Sequence, residues 1–253
     1  MNAVTIGWGL GLLLVVLALL AAAVTRWAAL GPSWAPLVAA ARAVAQLAVV
    51  STVIVAVLHS LVLTILFLLA MVVVAAGTSA RRVTGSLRPG AWWTAVPIAG
   101  AVVPALGTVL ASSVVPADPM AILPTAGILI GGAMTATTLA ARRMGEELTA
   151  QRGAYEAALS LGLGRRAGAL LVGRDAASLA LVPGLDQTRT VGLVTLPGAF
   201  VGVLLAGASP WQAGAAQVLV LVALLLVQAL AVALTVELVA AGRLPAPRVP
   251  LQA

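Results

Sequence analysis

An all-α, polytopic membrane bundle of about seven helices is the fold this sequence predicts. Three observations carry that expectation. Hydrophobic residues make up 62% of the 253 residues and charged residues only 8%, whereas about a quarter of a soluble domain is charged. Apolar runs of roughly 20 residues, enough to cross a bilayer at about 1.5 Å of rise per residue, recur along the chain. The charge is also concentrated, with 12 of the 21 charged side chains between residues 141 and 189. The expected organisation is one transmembrane domain over 1–253, with a single polar segment at about 141–189.

Seven crossings can be drawn, at about 4–25, 35–57, 61–80, 91–113, 119–140, 190–206 and 212–240. The first ends in small residues, Ala21 to Ala23, as a secretory signal would. No basic residues lead it and its apolar run is too long, so it reads as a retained span. The second carries Arg42 and Gln46, four apart and therefore on one helix face. A charge inside a bilayer is costly and normally faces the interior, water or a partner, but Arg42 lies about two turns from the span's end and snorkelling is the other reading.

The fourth span carries Pro97 and Pro104, and the fifth Pro119, Pro124, Gly127, Gly131 and Gly132. Proline removes a backbone donor and glycine lets helices approach, so both spans are expected to be kinked and packed inside the bundle. A gating role and the general tolerance of membrane helices for Gly and Pro both fit. The fifth span ends in Met134, Thr135, Thr137 and Thr138. Such threonines commonly bond their own backbone or a neighbour; as a ligand site they would suit a weakly held cation or a polar solute.

Within the polar segment, residues 151–161 can form a short helix holding Glu156, Ala157 and Ala158, ended by left-handed turns at Gly162 and Gly164. A second helix is expected from Arg165 to Val182, halted at Pro183. A short helix tied to two spans can pass a partner's motion into the bundle; a solvated linker helix is the plainer alternative. Asp186 and Arg189, three apart, are placed for an ion pair at the mouth of the sixth span. Gln212, Gln217, Gln228 and Glu237 punctuate the last span, and a lone carboxylate such as Glu237 near its inner end would be simply solvated.

Basic residues near a span stay on the cytoplasmic side. In a seven-helix drawing Arg26, Arg81, Arg82, Arg88, Arg142, Arg143, Arg152, Arg165, Arg166, Arg174, Arg243 and Arg248 share one side, while the loops near His59, Asp118 and Ser209 hold no arginine. The N-terminus is therefore expected outside and the C-terminus inside, with 141–189 cytoplasmic. The net charge of +7 is explained by this retention and not by nucleic acid.

Several chemistries are excluded. There is no cysteine, hence no disulfide or thiolate site. His59 is the only histidine, so no histidine metal cluster or Ser-His-Asp triad can be assembled. No lysine is present, so this chain cannot supply the phosphate-binding lysine of a P-loop. Neither an enzyme nor a cofactor site is expected in it.

The stretches GGAMTATTLAARR (131–143), EAALSLG (156–162) and VGLVTLPGAFVGVLLAGASPWQA (191–213), together with Arg42 and Gln46-Leu47, resemble the FetB-like permeases. These are membrane subunits of iron-exporting ABC transporters, related to plant permeases linked to aluminium tolerance. The resemblance runs through nearly the whole chain. It implies a bacterial cytoplasmic-membrane location, a cytoplasmic ABC ATPase carrying ATP and Mg²⁺, a second permease copy in a homodimer, and export. It also implies coupling to the ATPase through Glu156, Ala157, Ala158 and Gly162. Arg42, Gln46, Met134, Thr135, Thr137 and Gln217 become candidates for lining or bracing the pathway.

The chain departs from the family at three places. Gly131-Gly132-Ala133 stands where Gly-Asn is usual, Ala199-Phe200-Val201-Gly202 where Met-Met-Thr-Gly is usual, and Ala216-Gln217 where Tyr-Gln is usual. Thioether, amide and hydroxyl groups that would suit a metal are lost, so the substrate class stays a metal ion or a small solute. A secondary transporter or channel driven by an ion gradient is the rival reading, and a neighbouring ABC ATPase gene would separate the two.

Overall fold

A computed structural model describes residues 7–85 and 90–245; Arg88 and Arg248, used above for orientation, lie outside the described residues. The fold is all-α, with no strand among the described residues and only an isolated bridge between Val191 and Thr195. Among the described residues, seven helical stretches are long and apolar enough to cross a membrane. The chain divides into two compact units, Met1–His59 and Ser60–Ala253.

The first unit holds helices α1 (Trp8–Trp27) and α2 (Ala35–Leu58), packed on each other. The turn between them uses left-handed backbone at Ala29 and Gly31. Most of their large apolar side chains are exposed, as expected of surfaces meant for lipid or another apolar partner.

The second unit begins with α3 (Leu61–Thr84), capped by the Ser60 hydroxyl, which accepts from the Leu63 amide, and ended by Gly85 at φ 73°. A 3₁₀ turn (Ala91–Thr94) leads into α4 (Ala95–Ala111). The Thr94 hydroxyl donates to the Ala76 carbonyl on α3 at 2.9 Å, satisfying a buried group that would otherwise cost stability. Pro104 sits inside α4, where its ring crowds the carbonyl four residues back. That position is Gly100, whose missing side chain also admits Leu234.

Helix α5 (Pro119–Ala150) starts at an Asp118 cap, whose carboxylate accepts from the Ala121 amide at 2.8 Å, with proline in the first turn. Its 32 residues correspond to about 48 Å, well beyond a hydrocarbon core of about 30 Å. The first ten residues of the expected polar segment are thus a continuation of the fifth span. Arg142 and Arg143 on this extension both pair with Glu146 at 3.8 Å.

The short helix forms as expected, as α6 (Arg152–Ser160). Gly162 adopts φ 90°, the left-handed turn predicted for it. Gly164 does not; it is extended and precedes α7 (Arg165–Ser178).

The largest departure follows. Pro183 does not halt the chain: α7 passes through a 3₁₀ turn (Leu179–Leu181) into α8 (Val182–Thr190), and Pro183 falls in the first turn of α8. There its missing N–H removes no helical bond. The run Arg165–Thr190 is therefore the sixth stretch able to cross a membrane. The drawn crossing at 190–206 is broken by non-helical residues 191–197, and what remains, α9 (Gly198–Leu205), has eight residues, about 12 Å of helix. The last helix, α10 (Pro210–Ala240), opens on a capping box between Ser209 and Gln212.

The core of this unit is built around α10 and α5, with α4, α3 and α7 against them. Ile98, Leu129, Met144, Leu221 and Val227 fill it, and the seams between helices are lined by alanines such as Ala133, Ala136, Ala140 and Ala231. Small side chains let backbones approach where no solvent drives helices together.

Candidate functional site

Helix α6 is presented by its neighbours. Tyr155 and Ala158 face α7, where Gly168 has no side chain and Tyr155 would stand 3.3 Å from an added Cβ. Ala158 is consequently turned into this seam and only 5% exposed, so of the two alanines proposed to meet a partner only Ala157 is exposed. The outer face carries Arg152, Glu156 and Ser160 one turn apart. Arg152 Nε donates to Glu156 Oε1 at 2.7 Å, and this bond, with the carboxylate's charge, raises the guanidinium pKa above its ordinary value. Leu161, next to the Gly162 turn, is 82% exposed. Sequence reasoning did not single it out, because one leucine in an apolar chain carries no signal.

The seam continues inward. Gly173 on α7 faces Met144 of α5, whose Cγ would lie 2.7 Å from a Cβ at that position. At the start of α7, Arg166 reaches Glu237 near the end of α10, its Nε and Nη2 at 2.8 and 2.7 Å from one carboxylate oxygen. Glu237 is therefore paired, not merely solvated as expected, and a separation of 71 positions hid that partner. Arg189 and Asp186 form their ion pair at 3.6 Å, at the end of α8 and not at the entry of a new span.

The pathway candidates are dispersed. Arg42 and Gln46 lie four apart on α2 of the first unit, both exposed. Thr135 is exposed and bonds its own helix at the Gly131 carbonyl, while Thr138 donates to Met134 O at 2.7 Å and lies 2.9 Å from Ser79 of α3. Met134 lines a shallow apolar groove with Phe67, Met71 and Gly127. Thr137 is fully buried and its hydroxyl has no hydrogen-bond partner.

Gln217 is the candidate that meets a cavity. A space of about 450 Å³ lies among residues 114–116, the first turns of α5 and α10, and Ala199 and Val203 of α9. Gln217 lines it, is 6% exposed, and has an unpartnered carbonyl oxygen. Gln228 repeats the pattern three turns further along α10, 8% exposed with its carbonyl oxygen also unpartnered. Eleven residues put the two amides within about 20° of each other around the helix. That polar stripe was legible only as scattered glutamines. Among the described residues no group of three or more His, Asp or Glu could hold a metal ion.

The family model described as "Uncharacterised protein family (UPF0014)" matches residues 8–242. This chain belongs to UPF0014. The curated proteins to which it is similar include these three. The "UPF0014 membrane protein STAR2" of Oryza sativa subsp. japonica is 36% identical over 60% of this chain and 53% of its own. The "Protein ALUMINUM SENSITIVE 3" of Arabidopsis thaliana is 38% identical over 43% and 40%. The "Probable iron export permease protein FetB" of Escherichia coli (strain K12) is 35% identical over 40% and 39%. The chain thus spans about half or less of these relatives' lengths. No solved structure matches it. The UPF0014 membership agrees with the resemblance drawn from the motifs.

Proposed function

We propose that this UPF0014 chain is the membrane permease subunit of an ABC transporter, exporting a metal ion or small solute across a bacterial cytoplasmic membrane. ATP hydrolysis takes place on a separate cytoplasmic ATPase, and two copies of the permease make the working unit. The relative named as an iron export permease supports the class.

The observation that carries the proposal is the line of contacts leading inward from α6. The exposed ridge of Arg152, Glu156 and Leu161 is the docking surface. Its far side is stacked on α7 through Tyr155 and Gly168, α7 is seated on α5 through Gly173 and Met144, and Arg166 ties α7 to Glu237 of α10. Force applied to α6 thereby reaches α10, whose opposite end lines the Gln217 cavity. A linker helix would need none of these seatings. ATP-driven alternation between two packings of these helices is the mechanism that this linkage serves.

The test is replacement of Glu156 by Arg, which puts two cations side by side on the ridge. Reduced co-purification with the ATPase and loss of transport are expected, with the permease still folded. Unchanged association and transport would remove α6 as the coupling element.

A further inference from the structure

We infer that the non-helical break between α8 and α9, residues 191–197, stands at the middle of the bilayer and forms the wall of a water-filled pathway for a polar solute. The inference rests on reading this chain as a permease and names the segment past which its cargo moves.

Depth comes first. Trp211, 89% exposed at the start of α10, suits the level where a span meets the headgroups. Gly184 of α8 abuts Gln228 of α10, about 27 Å along that helix from Pro210. From Gly184 to Thr190, α8 advances at most about 9 Å, so it ends at least about 18 Å short of the level of Pro210. From the other side, α9 turns into α10 through residues 206–209, and its eight residues reach at most about 12 Å back from that level. The break therefore covers the depth between about 12 and 18 Å, the middle of a hydrocarbon core of about 30 Å.

Hydrogen bonding comes second. The Gly192 amide donates to the Thr195 carbonyl, and the amides of Leu193, Val194 and Thr195 all donate to the single carbonyl of Thr190. The carbonyl oxygens of Val191, Gly192, Leu193, Val194 and Leu196 accept no hydrogen bond, and the amides of Leu196, Gly198, Ala199 and Phe200 donate none. Nor does the rest of the chain shield them: Leu193 is 91% exposed, Val194 77% and Leu196 67%.

Irregular backbone at membrane depth persists only where it is buried in protein or lines a water-filled cavity, because lipid satisfies no peptide group. Exposure removes the first option within this chain, and water is the second. Helices interrupted part-way through a bilayer meet polar cargo with such unwound backbone. Free acceptors and free donors stand together here, so the wall can exchange hydrogen bonds with the shell of a hydrated solute. An apolar cargo would leave every one of them unmet.

The experiment uses single-cysteine variants of the full chain in lipid nanodiscs, where both faces are open to reagent. L193C, V194C and L196C are compared with V73C, which lies mid-way along α3 and is 57% exposed. The probe is MTSET, a thiosulfonate with a fixed positive charge, read as a mass shift against time. Only a thiolate reacts, and neither thiolate nor probe enters hydrocarbon, so the three break positions should label at least about tenfold faster than V73C. Where a variant does not assemble, the unsubstituted chain reads the same property. Its Leu196 and Gly198 amides should exchange with deuterium in seconds, while those of residues 218–226 in α10 stay protected.

Labelling of all three as slow as V73C, or protection of the Leu196 and Gly198 amides equal to that of α10, overturns the proposal by showing lipid or protein over the break. Efficient disulfide formation between two chains at L193C overturns it as well, by making the break an interface between copies. ATPase co-purification is measured on the unsubstituted chain. Slow labelling with association kept defeats the pathway alone, and fast exchange with no ATPase brought down defeats the permease reading alone.

Discussion

Gly184 of α8 lies against the side-chain amide of Gln228 on α10 so closely that a Cβ at residue 184 would overlap the amide oxygen. The only residue that fits there is one without a side chain. Replacing Gly184 by Ala should therefore destabilise the protein by about 1–3 kcal/mol, the usual cost of overpacking. Thermal unfolding in detergent would show a lowered Tm. The double variant G184A/Q228A should be more stable than G184A, because the two sites share one volume and their effects do not add.

The same amide gives a second, opposite expectation. Gln228 Oε1 is buried without a partner, so a side chain of equal length lacking the carbonyl removes a desolvation penalty. Gln228→Met should leave stability unchanged or raise it by up to about 1 kcal/mol in the same assay. If Gln228 serves transport, activity should fall while stability holds.

Single-cysteine variants can settle the sixth crossing, since the native chain has no cysteine to remove. Leu161 and Leu193 are both exposed and flank the run Arg165–Thr190. A membrane-impermeant maleimide added to intact cells should label one of L161C and L193C and not the other. Labelling of both from the same side would instead favour a crossing at 190–206.

Much of the fold was legible in the sequence. Seven spans, six of them at the expected places, followed from apolar run length, because in lipid every backbone group must be satisfied within a helix. The short helix of α6 and its left-handed stop at Gly162 followed from glycine's conformational freedom. What failed was proline as a stop signal at Pro183, whose meaning depends on whether it falls inside a helix or in its first turn. The low charge of 190–206 then made a broken segment look like a span. Of the site, Glu156 and Gln217 were readable as polar residues in telling positions. Arg166 with Glu237, Gly184 with Gln228, and the burial of Ala158 depend on packing between distant segments, which no local pattern encodes.

The Arg166 and Glu237 pair is 60% and 43% exposed, so its contribution to stability should be small, under about 1 kcal/mol, and weakened by salt. Arg166→Glu should nevertheless impair coupling by setting two carboxylates together. The exchanged pair R166E/E237R should recover ATP-dependent transport. Failure of the exchange to recover any activity would show that the tether is incidental.

Gly162 at φ 90° predicts a local effect. Alanine there should cost about 1–2 kcal/mol, and because the strain sits at the end of α6, amide hydrogen exchange in residues 152–160 should quicken while α5 and α10 keep their protection.

Helices α5 and α10 pack on each other, and buried alanines recur on both, with Ala126, Ala133, Ala136 and Ala140 on one helix and Ala213, Ala223 and Ala231 on the other. Methyl groups have no rotamers to rearrange and interlock only shallowly, so these helices can glide lengthwise past each other in small shear steps. Leu224 of α10, seated where Gly132 of α5 has no side chain, is a coarse tooth on that track, and it sets the notch at which the sliding rests.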